Sequence, residues 1–314
     1  VNRTAPPEAL SGLTVFERGW LSSNNVLIHE AREGEGAVLV DTSHCLHGDQ
    51  TIALLRSALR PGERLAAVVN THLHSDHCGG NAAVQRAFGQ VPVFIPDGPW
   101  QAVHVWDEDA LSYRATGQRC ERFTASGTVT PDERLRCGGR DWQVLAAPGH
   151  DPDSVILFDA RHGVLLSADA LWENGVGVIF PELEGESAFD DAAAVLDLIE
   201  TLPAAWVVPG HGAPFRDVAG ALQRARQRVD GWRRDPMRHA RHAAKVLLKY
   251  HLLEEQRQSV TRLHLWAGAT PLLREIWTRL GCPSRSLHVW CDELVGELVT
   301  SGAAAREGTD VLNT

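Results

Sequence analysis

Residues 71–80 read Thr-His-Leu-His-Ser-Asp-His-Cys-Gly-Gly, so three histidines and one aspartate fall within six residues. The stretch follows Leu65–Asn70, an apolar run suited to a buried strand, and precedes a helical pattern over Asn81–Phe88. On an extended chain alternate side chains share a face, so His72 and His74 point the same way. Asp76 and His77 come next, in a turn that can fold them back toward the same point. Neutral imidazole and carboxylate are the ligands that suit zinc and similar divalent ions. Four such groups at a strand end, with nothing to bind, would be an odd use of that position.

The same grammar, a strand running into a turn, recurs three times. His150 follows Trp142–Ala147 in the order Pro-Gly-His, Asp169 follows Val164–Ser167, and His211 follows Trp206–Val208, again as Pro-Gly-His. Alone, each would read as an ordinary structural residue. Each also stands at the carboxyl end of a strand, where α/β layers build their sites, and the ordered set joins the first cluster.

The rest of the chain sets the layers. Asn25–His29 and Ala37–Asp41 are short apolar strands separated by Gly34 and Gly36, a hairpin signal. Asp49–Leu59 has near-helical apolar spacing and stops at Pro61-Gly62. A strand is expected at Val91–Ile95, and the alternation of strand and helix indicates an α/β domain. Residues 97–143 lack periodicity and read as an insertion or an irregular layer. A strand at Val155–Asp159, a helix over Asp190–Leu202 and a long helix from Val218 follow. Beyond Asp235-Pro236 the pattern changes to three helices, His239–Leu253, Thr270–Leu280 and Ser286–Thr300, with a short tail. The expected division is residues 1–234 and a winged-helix-like appendage over 235–314.

The ordered motifs, His-x-His-x-Asp-His (His72, His74, Asp76, His77), Gly-His150, Asp169 and Pro-Gly-His211-Gly, resemble the metal motifs of the metallo-β-lactamase superfamily over roughly residues 12–234. The resemblance implies an α/β four-layer αββα sandwich with a dinuclear metal site in a shallow cleft at one edge. It implies that His72, His74 and His150 hold one metal, that Asp76, His77 and His211 hold the other, and that Asp169 bridges them. Asp41 is similar to the family's aspartate that orients ligands from behind. Two divalent ions, zinc first and iron or manganese next, would supply a bridging hydroxide, with Asp76 as the catalytic residue that orients it. Cys78 is read as packing. The chain departs from the family at Asp151-Pro-Asp-Ser154 and at Ala168, where Gly is usual. With Asp169 rather than Cys at the bridging position, the resemblance is closer to the glyoxalase II, lactonase and nuclease branches than to zinc β-lactamases.

That resemblance implies hydrolysis of a small ester or thioester, in the manner of glyoxalase II or an acyl-CoA thioesterase. The alternatives are a phosphodiesterase or nuclease, a sulfur dioxygenase with one iron, and a non-catalytic member that binds an acyl ligand. A net charge of −10 argues against a general nucleic-acid coat, and residues 235–314 carry only +1, so nucleic acid is not an expected partner. The segment 216–234 concentrates six Arg against two Asp and reads as a solvated helix face against the acidic body. The C-terminal helices are expected to narrow the cleft or to make a subunit contact, as in a homodimer. Trp100, Trp106, Trp172 and Phe180 are candidates for an apolar wall around an acyl chain. Six cysteines without a CxxC pair or a preceding leader point to a reducing, cytoplasmic setting, and no apolar run approaches the ~18 residues of a membrane span.

Overall fold

The structure is a computed structural model that describes residues 8–281 and 285–314; Cys282 lies outside them. One sheet contains β1 (Leu13–Phe16), β2 (Asn25–Ile28), β3 (Ala37–Val40), β4 (Leu65–Val69), β5 (Val93–Pro96) and β6 (Gly127–Val129), side by side in chain order. The first three form an antiparallel meander. From β3 onward the pairing is parallel, and parallel neighbours need crossovers, which the helices Gly48–Ala58 and Asn81–Ala87 supply up to β5 and two short helices, Trp100–Val105 and Tyr113–Thr116, between β5 and β6. The second sheet contains β7 (Arg134–Cys137), β8 (Arg140–Ala146), β9 (Val155–Asp159), β10 (Val164–Ala168) and β11 (Trp206–Pro209), in the order β11-β10-β9-β8-β7.

Strand β9 shows how the layers are written in sequence. Its five residues are all buried, yet they sort by the two-residue period of a strand. Val155 and Leu157 enter the core between the sheets, with Val26, Val40, Val69, Trp142 and Val208. Ile156 and Phe158 face the helices Phe189–Thr201 and Val218–Arg234 instead. The other sheet packs Leu27, Leu39 and Val68 against its own helices through Leu55 and Val84. Helices outside two facing sheets make the expected four-layer sandwich.

The 97–143 segment is not an insertion. It holds two short helices, Trp100–Val105 and Tyr113–Thr116, then adds β6 to the edge of one sheet and opens the other with β7 and β8. It is the passage between sheets, and β6, only three residues long, gives no periodicity to read.

The C-terminal region is also richer than expected. Helices Pro236–Glu255, Val260–Ala269, Pro271–Arg279 and Leu287–Thr300 pack with a small antiparallel sheet of β12 (Arg257–Ser259), β13 (Ala304–Glu307) and β14 (Asp310–Asn313) in the order β12-β14-β13. The unforeseen helix is capped by Ser259, which accepts from Arg262 N. It buries only Leu263 and Ala267 and exposes Leu265, too narrow a stripe to stand out. The region is docked on the body: Val178 and Leu183 join its core, and His44 Nε2 meets Glu254 Oε1 at 3.1 Å with both side chains buried. Among the described residues no helix is long and apolar enough to cross a membrane.

Candidate metal centre

The seven predicted residues meet at one edge of the sandwich, at the carboxyl ends of β4, β10 and β11 and in the turn after β8. They form two groups, His72 with His74 and His150, and Asp76 with His77, Asp169 and His211. Within each group the ligand atoms lie within 4.8 Å of one another, and all seven residues are buried.

In the first group three ring nitrogens converge. His74 Nδ1 is 3.1 Å from His72 Nε2 and 2.8 Å from His150 Nε2. In His150 and His72 the outer nitrogen fixes which tautomer the ring adopts. His150 Nδ1 donates to Val178 O at 2.6 Å. Thr71 Oγ1 donates to Asp41, so it accepts from His72 Nδ1 at 3.2 Å. His74 Nε2 lies 3.9 Å from Asp151 Oδ2, beyond hydrogen-bond reach. Burial, reinforced by neighbouring imidazoles, pushes His72 well below the usual histidine range; burial also lowers His74 and His150 to about 4. Three neutral rings therefore aim lone pairs at one point, an arrangement that a cation satisfies and a hydrogen-bond network does not.

The second group is carboxylate-rich. His211 Nε2 is 3.0 Å from Asp76 Oδ2. His77 Nδ1 donates to Asp41 Oδ2 at 2.8 Å, which leaves Nε2 facing Asp169 Oδ1 at 3.3 Å without a hydrogen bond. Burial would raise Asp76, but His77 and His211 outweigh it and hold the carboxyl at about 2. Against burial, His77 and His211 likewise hold Asp169 well below the carboxylate range. Burial would lower His77; Asp169, Asp41 and Asp76 outweigh it and push the ring well above its ordinary range. Such a site calls for positive charge, and the donor set fits a divalent ion.

Asp169, a member of the second group, also faces the first. Its Oδ1 faces His77, and its Oδ2 is 3.3 Å from His150 Nε2. The backbone allows this closeness. At Gly210, before His211, a Cβ would lie 2.1 Å from Asp169 Oδ1. Ala168 takes a φ of 44°, and Asp41 one of 57°, both in the left-handed region that favours glycine. Asp41 uses that bend to accept from Thr71 N at 2.9 Å as well as from His77, so it ties the end of β3 to the motif.

Several residues around the cluster were not foreseen. Trp20 stacks on His211 with centroids 5.2 Å apart, and its loop is pinned by Asn24 Nδ2, which donates to Pro209 O at 2.9 Å. Ser75 Oγ donates to Gln118 Oε1 at 2.8 Å and is 2.7 Å from Tyr250 Oη, a side chain of the C-terminal region. Of the expected aromatic wall, Trp172 donates Nε1 to Asp169 Oδ1 at 3.2 Å and Phe180 stands edge-on to His74. Trp100 and Trp106 are elsewhere: Trp106 packs on Phe123 and Tyr113, and Trp100 lines a separate hollow with Val103 and Phe123. Cys78 is buried behind the motif, as expected, with Sγ on Leu73 O.

Above the cluster opens a pocket of about 410 Å³. Trp20, Trp172, Val178 and Phe180 line it from the body, and Val246, Tyr250, Leu253 and Leu298 from the C-terminal helices.

A four-layer sandwich with a buried His/Asp cluster consistent with two metal ions defines a class of metal-binding α/β proteins. The profile of the metallo-beta-lactamase superfamily matches residues 18–211, and the chain belongs to that superfamily. It is similar to the hydroxyacylglutathione hydrolase of Yersinia enterocolitica, 29% identical over 45% of this chain and 47% of that protein. It is also similar to an acyl-coenzyme A thioesterase of Gallus gallus, 24% identical over 63% of this chain and 76% of that one. Among solved structures it resembles TTHA1623 in a di-iron-bound form, with a TM-score of 0.53 and 26% identity over 68% of this chain and 98% of that chain. The chain spans about half the length of the hydroxyacylglutathione hydrolases it first matches.

Proposed function

We propose that this chain is a dinuclear metal hydrolase that cleaves a carboxylic thioester or ester. The observation that carries the reading is Asp169, whose two oxygens each lie 3.3 Å from a histidine of a different ligand group. A hydroxyacylglutathione hydrolase and an acyl-coenzyme A thioesterase among its relatives support the choice of bond. In this reading His72, His74 and His150 hold one ion, Asp76, His77 and His211 the other, and Asp169 both. When bound, two divalent ions, zinc by preference, would generate hydroxide near neutral pH and polarise the substrate carbonyl.

The chain's own residues supply the rest. Asp76, held ionised, accepts a hydrogen bond from the attacking hydroxide and takes its proton as the carbon–oxygen bond forms. The carbon–sulfur bond then breaks, the carboxylate leaves with the water oxygen, and the thiolate receives the proton that Asp76 held. Asp41 fixes the ring of His77, and Val178 O fixes that of His150. Trp20, Trp172 and Phe180 exclude bulk water and seat the apolar part of the substrate. We further propose that residues 1–234 are the catalytic domain and residues 235–314 a second domain that roofs its pocket. A hydrolysis panel of thioesters, lactones and phosphodiesters on metal-loaded protein tests the reading. The expected result is thioester or ester turnover; cleavage confined to phosphodiesters would refute it.

A further inference from the structure

The pocket does not end at its apolar wall. Arg228, His242 and Lys245 line its far end and also line a second hollow of about 440 Å³, which Arg238 and Arg241 complete. In a chain of net charge −10, such a gathering of cations is a local exception. Glu297 at the seam pairs with Arg241 and Lys245. No carboxylate partners Arg228 or Arg238 among the described residues.

Arg228 shows that the exception is built. Of the other arginines on the Val218–Arg234 helix, Arg224 pairs with Asp217, Arg226 with Asp197 and Glu200, and Arg233 with Asp190, while Arg234 lies exposed at the helix end with Nε on Asp230 O. Arg228 alone of these turns toward the pocket. Its guanidinium lies over Gly175, where a Cβ would come within 2.6 Å of Cζ, and Nη1 donates to Val176 O at 3.2 Å. Apart from these cations and the His/Asp cluster, the lining is chiefly aromatic and aliphatic, and its remaining cation, Lys249, is held by Ala303 O and Asn313 Oδ1. His242, in their midst, is lowered to about 4 by burial and then by Arg228, Lys245 and Arg238.

We propose, resting on the thioester reading above, that the second hollow binds the phosphates of the substrate's thiol carrier, so that the substrate is a coenzyme A thioester. A neutral arm followed by several phosphates matches an apolar pocket followed by unpaired guanidinium groups, which bind phosphate in bidentate fashion. A peptide thiol such as glutathione carries its charges close to the sulfur, where this pocket is apolar. A nucleic-acid strand carries an anion at every step and would require cations along the whole path to the metal centre.

The test separates carrier binding from chemistry. Free coenzyme A is titrated calorimetrically into metal-loaded protein, and kcat/KM is measured for one acyl group on coenzyme A and on pantetheine. Arg238→Glu is the first variant, because Arg238 is exposed and unpaired; Arg228→Ala is the second, with circular dichroism as a check of folding. Micromolar coenzyme A binding is expected, with a preference for the coenzyme A thioester of about tenfold or more, and each variant should reduce both by about tenfold. Absence of coenzyme A binding below millimolar concentration, an equal rate on both thioesters, or a preference unmoved by Arg238→Glu would overturn the proposal. So would faster turnover of the same acyl group on a carrier protein, or displacement of coenzyme A by a single-stranded oligonucleotide. If coenzyme A binds as expected but no thioester is cleaved, the phosphate site stands and the hydrolase reading fails.

Discussion

The floor and the far wall of the pocket are built by opposite means. The floor is seven histidine and aspartate side chains, each held at or just beyond a strand end or in the turn that follows, with backbone bends at Asp41 and Ala168 bringing them together. The wall is mostly one face of the Pro236–Glu255 helix, joined by Leu298 of the Leu287–Thr300 helix, and its residues meet the body only through tertiary packing. In the proposed reading, chemistry is placed by the sheets, whose geometry is rigid, and substrate choice by the C-terminal region. Changes at the floor should therefore act on turnover, and changes at the wall on binding and on docking of the C-terminal region.

The largest effects belong to the floor. Asp76→Ala should reduce turnover of the best thioester or ester by roughly two orders of magnitude or more, about the size expected when general-base help and a ligand are lost together. Asp169→Ala should cost as much and also release metal, read by elemental analysis of the same sample. A folded, metal-loaded Asp76 variant with near-normal rates would show that the floor does not carry the chemistry.

Next comes the joint between floor and wall. Glu254→Gln leaves His44 buried without its partner, which should lower stability by roughly 3 kcal/mol, measured by denaturant unfolding. The pair also sets a pH window. Burial lowers His44, but Cys45 and Glu254 outweigh it and raise the ring to about 9; burial raises Glu254, but His251 and His44 hold it at about 2. A raised histidine contributes fully below its unfolded value of 6.5 and loses that contribution as pH rises through about 9. A depressed glutamate contributes fully above 4.5 and loses it as pH falls through about 2. The stability gap between wild type and Glu254→Gln should be widest between 4.5 and 6.5 and should shrink toward 9. A gap independent of pH would mean that the pair does not hold the joint.

Smaller effects separate residues that look alike in sequence. Trp172→Ala should raise KM several-fold, because its ring covers His211 and Asp169, whereas Trp100→Ala should leave KM and kcat unchanged. Equal effects would restore Trp100 to the acyl wall. Ser75→Ala, beside Asp76 but outside both ligand groups, loses its bonds to Gln118 and Tyr250. A change of about 1 kcal/mol, hence a few-fold in kcat/KM, is expected; a hundredfold loss would place Ser75 in the chemistry itself.

These contrasts follow what could be read from the sequence. All seven cluster residues and Asp41 were legible, because each stands at a fixed offset from a strand whose apolar run is plain; strand β9 was placed to the residue, and the helix expected from about Val218 starts there. Trp20 was not legible: it lies in a loop without periodicity, and only the fold brings it to His211, far along the chain. Tyr250 and Arg228 sit on helices whose faces could be recognised, yet the partner of each face depends on how the C-terminal region docks. The arginine helix is a neutralised face at Arg224, Arg226 and Arg233 but not at Arg228, where the absence of a nearby acid cannot be seen in one dimension. Strands β6 and β12, at three residues each, are too short to carry an alternation.

The proposed hydrolysis requires two cations sharing Asp169. Elemental analysis of protein purified without chelators, before and after reloading, measures that directly. Close to two divalent ions per chain are expected, falling to one or fewer in Asp169→Ala. A wild-type stoichiometry that stays near one after reloading would contradict the bridged pair.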